Sequence, residues 1–296
     1  MSAGSERRPT VVIHAGAGAR RSEIDELQAE YRSALLTSVD RARTVLERGG
    51  SAIDAAQAAV MFMEDEVDFF NAGRGAALCS DGSAELSAAL MRGADRGAGA
   101  VAGVKRTRYP IAAARAVLDR SPHALLAGVA GDAFAAAAGA EQRDPSYFIT
   151  ERQRDRLRTE PSRFERGTVG AVCLDGDGML AAATSTGGMR GQHPGRIGDS
   201  PLIGAGTWAD DRVAISCTGD GEAFVRAGAA RLLALAVAGG ERVDRAADRT
   251  LAEVAALGGH GGLIALDAEG GFAMPFHPGA MPRGVWRSGE QSAVWA

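Results

Sequence analysis

The sequence is almost without lysine. Lys105 is the one lysine among 33 basic residues, so arginine carries nearly all the positive charge. We read this as a compositional bias, because arginine replaces lysine on solvated faces without changing charge. Cysteine is scarce as well. Cys79, Cys173 and Cys217 are odd in number, far apart and form no CxxC, which argues against a disulfide framework or a zinc cluster. They are expected to be buried small hydrophobes in a reducing cytoplasm. The five histidines, His14, His123, His193, His260 and His277, show no HxxxH or HExxH spacing, so no metal site follows from them. Long apolar runs are also missing. The stretch 232–240 is far short of the ~20 residues of a membrane span. Arg7-Arg8 is followed only by Val11-Val12-Ile13 before His14, too little for a twin-arginine export signal. Neither charge dominates. Thirty-three basic and 37 acidic residues leave a net charge of −4, which argues against nucleic-acid and polybasic membrane partners.

Glycine is what the chain has in excess: 40 of 296 residues, near twice the ~7% of average usage. With only 10 prolines and 46% hydrophobic residues, the chain is neither collagen-like nor disordered. A chain of this length buries roughly 75% of its unfolded surface and folds without staples.

Residues 10–13 form a β-branched run that breaks into His14-Ala15-Gly16-Ala17-Gly18, a strand entering a glycine loop. Ser22-Glu23-Ile24-Asp25 opens a helix, which Ile24, Leu27, Tyr31, Leu35, Val39 and Leu46 continue at helical spacing. Gly49-Gly50 stops it, and Ser51 with Asp54 caps the next helix, to about Met63. Asp81-Gly82 predicts a hairpin, and residues 98–104 another strand. Tyr109-Pro110 opens a helix to about Asp119, and Ser121-Pro122 is expected to open one more. Residues 142–166 are rich in charge and poor in aliphatics, which reads as a solvated linker. Beyond it, 168–174 and 179–186 flank Asp175-Gly176-Asp177-Gly178, a strong hairpin pattern. A strand over 212–217, helices over about 222–238 and 243–257, and a last hairpin around Glu269-Gly270 close the chain. Hairpin-linked strands with helices between them favour antiparallel sheets covered by helices.

The chemistry concentrates after the linker. A threonine opening a strand, as in Arg166-Gly167-Thr168-Val169-Gly170, is by itself an ordinary strand residue. Its hydroxyl becomes a useful nucleophile when a base stands beside it, and its own free α-amine can be that base. Such an amine has an ordinary pKa of about 7.7–8.0, close to working pH. Exposing it requires a cut between Gly167 and Thr168, and glycine before the cut tolerates strained geometry. Thr184-Ser185-Thr186-Gly187-Gly188 ends the next strand and brings hydroxyls beside Thr168. Pro194-Gly195-Arg196-Ile197-Gly198-Asp199-Ser200 sets a cation three residues from an anion on a glycine loop. The pair reads either as a surface ion pair, worth little, or as a zwitterion clamp. In the clamp, Arg196 grips an α-carboxylate bidentately and Asp199 an α-ammonium. Cys217-Thr218-Gly219-Asp220-Gly221-Glu222 runs from strand to helix and is either a helix cap or an oxyanion hole.

Four such clusters in this order resemble the catalytic half of the isoaspartyl peptidase/plant-type L-asparaginase family, within the N-terminal-nucleophile hydrolases. The likeness extends to Val12-Ile13-His14-Ala15-Gly16-Ala17-Gly18, Phe70-Asn71-Ala72-Gly73, Ser121-Pro122-His123 and residues 262–284. It implies an α+β fold, a four-layer αββα sandwich forming one domain over 1–296. It also implies a precursor that cuts itself into 1–167 and 168–296, with the linker at about 142–167. By similarity, Thr168 is nucleophile and base, and Thr186 tunes it. Arg196 and Asp199 hold the substrate, with Gly221 beside them, and Thr218 and Gly219 stabilise the oxyanion. The substrates would be L-asparagine and β-aspartyl dipeptides. No cofactor is implied for catalysis. A structural sodium ion on main-chain oxygens of Glu64, Asp65, Val67, Phe70, Ala72 and Arg74 is implied, as is a homodimer of αβ units, a heterotetramer, in the cytoplasm.

Three positions depart from the family pattern: Ser87 and Arg92 stand for aspartates and Ala15 for a glycine. Arg92 is expected to alter the surface or interface around the site. The competing readings are a glycosylasparaginase-like amidase, which usually carries Asp where Gly167 stands, and an uncleaved binding protein of the same fold. A nucleotide-binding oxidoreductase is disfavoured because Arg21 stands where GxGxxG needs its third glycine.

Overall fold

The computed structural model describes residues 8–17, 28–159 and 167–296. The expected capping motif at Ser22 lies outside them. Strands β5 (Val169–Leu174) and β6 (Leu180–Thr186) are buried along their whole length, as strands covered on both faces must be. They are the middle of an eight-stranded sheet ordered β13–β12–β1–β5–β6–β2–β3–β4. Its other members are β1 (Thr10–His14), β2 (Leu86–Arg92), β3 (Gly97–Val104), β4 (Leu125–Ala127), β12 (Arg283–Arg287) and β13 (Ala293–Trp295). The second sheet runs β10–β9–β8–β7, from Phe272–Ala273, Gly261–Asp267, Val213–Gly219 and Thr207–Ala209, with β11 (Phe276–His277) also paired to β9. Every pairing is antiparallel except that of β3 with β4.

Three apolar layers hold this together. Val12, Val172, Leu174, Ile264 and Leu266 meet between the sheets. Leu35, Val60, Val101 and Ile111 pack under helices α1 (Gln28–Glu47), α2 (Ala52–Asp65), α3 (Pro110–Arg120) and α4 (Gly128–Ala137) on the outer face of the first sheet. Ile215, Phe224, Leu233 and Val254 do the same beneath α6 (Gly221–Ala227), α7 (Ala229–Ala238) and α8 (Val243–Ala256) on the second. The order helix, sheet, sheet, helix is the expected four-layer α+β sandwich. Ser51 caps α2 by accepting from the Asp54 N–H at 3.3 Å, and Asp54 accepts from the Ser51 hydroxyl at 2.6 Å.

Several local expectations give way to tertiary structure. Ser121-Pro122 opens no helix; the chain instead runs through β4, which adds to the edge of β3, before α4 begins. The Asp81-Gly82 turn forms, but only a single Leu78–Ala84 bridge flanks it, because β2 pairs with β3 and β6. The helix expected over 222–238 is broken at Gly228, whose φ is +57°. The charged segment carries a 3-10 turn (Pro145–Phe148) and α5 (Glu151–Thr159). Phe148 is fully buried there and Gln153 nearly so, which the charge content concealed. Beyond the last expected hairpin, β12 returns to pair with β1, a contact between opposite ends of the chain. Arg92 ends β2 opposite Ala181, whereas Ser87 at the other end stands opposite Thr186. Arg92 is thus about 17 Å from the threonine end at the ~3.4 Å rise of a strand. It pairs with Asp95 at 2.7 Å, so it does not border the site as expected.

Candidate active site

Thr168 precedes β5, and Thr186 ends β6 beside it. Their hydroxyl oxygens stand 3.2 Å apart, with Thr168 donating. The Thr186 hydroxyl donates in turn to the Gly167 carbonyl at 2.9 Å and accepts from the Gly188 N–H at 3.0 Å. The Gly167 carbonyl has a second donor in the Asn71 amide, at 2.9 Å. That amide also donates to the Gly188 carbonyl at 2.7 Å, and its oxygen accepts from the Ala77 N–H at 2.6 Å. Asn71 is therefore fixed at both ends of its side chain. Glycine is required where the chain passes this point. A Cβ on Gly167 would lie 2.5 Å from the Asn71 Cβ, and one on Gly16 would lie 2.9 Å from the Gly167 Cα.

The clamp loop closes the same cleft, which Thr168, Thr186, Gly188, Arg196, Asp199 and Gly219 line together. Arg196 does not pair with Asp199. Its Nε and Nη2 donate to the two carboxylate oxygens of Glu222 at 2.8 and 2.9 Å, and Nη1 reaches the Gln192 amide oxygen at 3.3 Å. The forked edge expected to grip a carboxylate bidentately is thus already engaged, and Nη1 is the nitrogen outside that fork. Asp199 is buried, and its Oδ2 has no hydrogen-bond partner among the described residues. Burial pushes its pKa up to about 7, against smaller lowering effects from its own backbone and Arg196. Gly221 lies under this pair: a Cβ there would meet Arg196 Nη2 at 2.8 Å and Asp199 Oδ1 at 2.9 Å. Thr218 is buried, and its hydroxyl oxygen accepts from the Ala17 N–H at 3.1 Å.

The loop expected to hold a cation folds tightly after α2. A Cβ on Gly73 would stand 2.1 Å from the Glu64 carbonyl oxygen, and one on Gly75 2.2 Å from that of Phe70. At both glycines the backbone packs directly against a carbonyl oxygen and leaves no room for a side chain. The Val67 carbonyl accepts from Arg152 at 3.4 Å and that of Ala72 from the Gly75 N–H at 3.1 Å. The side chain of Arg74 lies over the Tyr147 ring, and that of Asp65 pairs with Arg108 at 2.9 Å. The side chain of Glu64 is buried behind the site, accepting from Ile111 N–H at 3.0 Å and from the Ser185 hydroxyl at 2.5 Å. Burial pushes it up to about 8, so it is neutral at pH 7.

Sequence reasoning brought together Thr168, Thr186, Arg196, Asp199 and Gly219. It left Asn71 and Glu222 within quoted motifs without a role. Asn71 lies 96 residues from Gly167, so no local spacing links them.

The family described as asparaginase matches residues 7–295. A protein of Escherichia coli named isoaspartyl peptidase is 44% identical, over 96% of this chain and 94% of its own. Proteins of Bos taurus and Homo sapiens named isoaspartyl peptidase/L-asparaginase are 37% and 36% identical, each over 95% of this chain and 94% of their own.

Proposed function

This chain belongs to the asparaginase family, and from that premise we propose that it is a self-cleaving threonine amidohydrolase. It releases L-aspartate from L-asparagine and from β-aspartyl dipeptides. The observation that carries this reading is the pair of donors, Asn71 and Thr186, on the carbonyl of Gly167 beside the Thr168 hydroxyl.

Self-cleavage follows from that pair. Thr168 Oγ1 attacks the Gly167 carbonyl carbon, and Asn71 Nδ2 and Thr186 Oγ1 stabilise the oxygen that becomes negative. The C–N bond breaks, the proton from Oγ1 goes to the departing nitrogen, and an ester joins Gly167 to Thr168. Water hydrolyses the ester and leaves Thr168 with a free amine. In the mature site that amine accepts the Oγ1 proton as Oγ1 attacks the substrate's β-carbonyl. Thr218 and Gly219 stabilise the new oxyanion. Ammonia or an amino acid departs with a proton, and water releases aspartate from the β-aspartyl ester. Both substrate types carry the same α-carboxylate and α-ammonium. Arg196 binds the first through Nη1, and Asp199 Oδ2 accepts from the second.

A sodium ion would rest on the carbonyl oxygens around Glu64 and Phe70, stiffening the loop that carries Asn71 without entering the chemistry. We also propose a dimer of αβ units and a cytoplasmic setting; among the described residues no helix is long and apolar enough to cross a membrane. The decisive test is a denaturing gel with N-terminal sequencing of the smaller piece. Two pieces, the second beginning at Thr168, are expected, and Thr168→Ala should give one intact band with no amidase activity. An intact wild-type band after long incubation overturns the reading.

A further inference from the structure

Below the layer of Thr168, Thr186 and Thr218 lies a second polar layer that the reaction does not use. His14, Gly170 and Thr184 stand side by side across β1, β5 and β6. Ser216 from the opposite sheet is set between His14 and Thr184. Its hydroxyl lies 2.9 Å from His14 Nε2 and 2.7 Å from Thr184 Oγ1. Thr207 Oγ1 lies 2.7 Å from Thr184 Oγ1 and 2.9 Å from the carbonyl oxygen of Ser200, the neighbour of Asp199. All of these side chains are buried. Gly170 is what lets the chain cross its strand. A Cβ there would stand 2.0 Å from Ser216 Oγ and 2.4 Å from His14 Nε2.

The Thr207 hydroxyl is the donor at one end, with its proton in reach of both Thr184 Oγ1 and the Ser200 carbonyl, and either oxygen of the Thr184–Ser216 contact can donate. Burial pushes the His14 imidazole down to about 3, with the Thr168 backbone acting more weakly in the opposite sense, so one ring nitrogen carries the proton at pH 7.

We infer that His14, Ser216, Thr184 and Thr207 are positioning residues, a buried hydrogen-bond chain that fixes the Ser200 end of the clamp loop relative to the strand of Thr168. None of them touches substrate. The chain sets where Asp199 stands, so it acts on the binding of the substrate ammonium. This rests on the proposed amidohydrolase reading, but its first test does not need activity.

That test is the nitrogen NMR spectrum of histidine-labelled, mature protein, with His14 assigned by its loss in His14→Gln. In Thr207→Val the His14 nitrogen resonances are expected to shift, because the chain links the two residues; unchanged resonances overturn the inference, whatever the protein hydrolyses. The second test is kinetic, with L-asparagine and a β-aspartyl dipeptide. Thr207→Val should raise KM about tenfold for both, the scale of one lost buried hydrogen bond, with a smaller change in kcat. Thr207→Ser, which keeps the hydroxyl, should restore KM. Equal KM values in Thr207→Val and wild type, or no rescue by Thr207→Ser, also overturn it. A wild type that hydrolyses neither substrate would refute the proposed function alone and leave the NMR result standing.

Discussion

The two ends of the cleft are held in opposite ways. At Gly167 the polar groups are matched: its carbonyl has two donors, and the Asn71 amide is engaged through both its oxygen and its nitrogen. At the clamp, Asp199 buries a carboxylate oxygen with no partner among the described residues. A buried, unmatched polar atom costs stability. Under the proposed function, the first end serves a reaction of the chain upon itself and the second binds the substrate ammonium.

The contrast is broken most strongly at Asn71. Asn71→Ala should slow the Gly167–Thr168 cut by ~10²–10³-fold, the usual effect of removing one oxyanion donor, followed as band intensity over time on a gel. Next is Asp199→Asn, which should raise KM by about 10²-fold, as expected for loss of one charge-assisted contact, and leave cleavage near its wild-type rate. Slowed cleavage in this variant would show that the two ends are not separable. The same carboxylate sets a pH dependence. With its pKa raised to about 7, Asp199 is protonated below that pH and cannot hold an ammonium. A profile of kcat/KM should therefore rise through about pH 7 on top of the rise that deprotonation of the Thr168 amine causes, and Asp199→Asn should keep only the latter.

A smaller effect is expected at Glu222, whose side chain is 61% exposed and whose hold on Arg196 is screened by water. Glu222→Gln should raise KM by about fivefold, and a fall in kcat with KM unchanged would assign Glu222 a different part. The last effect is on stability and does not touch the reaction. Glu64 is neutral in the fold, its pKa raised to about 8 from an ordinary value of about 4.3. The folded protein thus holds a proton that the unfolded chain has lost. Glu64's contribution is complete below about pH 4.3 and is lost as pH rises through about 8, by up to ~1.4 kcal/mol per pH unit. Between pH 5 and 8 the Tm of Glu64→Gln should fall less than that of wild type, and parallel curves would show that Glu64 is ionised in the fold.

How much of this was legible depends on sequence distance. Thr168, Thr186, Arg196 and Asp199 are carried by compact motifs on neighbouring strands and loops, and the structure brings them into one cleft. Asn71 and Gly167 meet through three-dimensional folding alone. The ion-pair reading of Arg196 gave it Asp199, and only the packing of α6 sets Glu222 against it instead. Gly170 looked like one more small residue in a glycine-rich motif until Ser216 was seen to occupy the space above it. Helix α5 was hidden because its charges mask one buried face. Gln153 on that face donates to the Gly75 carbonyl at 2.8 Å, a partner remote in sequence. The repeated strand and helix signals, by contrast, needed only local periodicity.

The strand order of the larger sheet has a consequence for the history of each molecule. Strand β1 lies before the proposed cut but between β12 and β5, which lie after it, and β6 lies beside β2. The two pieces that the proposed cut would make are laced like the fingers of clasped hands. Once cut, a molecule that unlaces has lost the tether that first aligned its strands, and its return becomes an encounter between two separate chains, dependent on concentration. The proposed maturation is in this sense a ratchet: the molecule would become active by giving up the connectivity from which it was assembled.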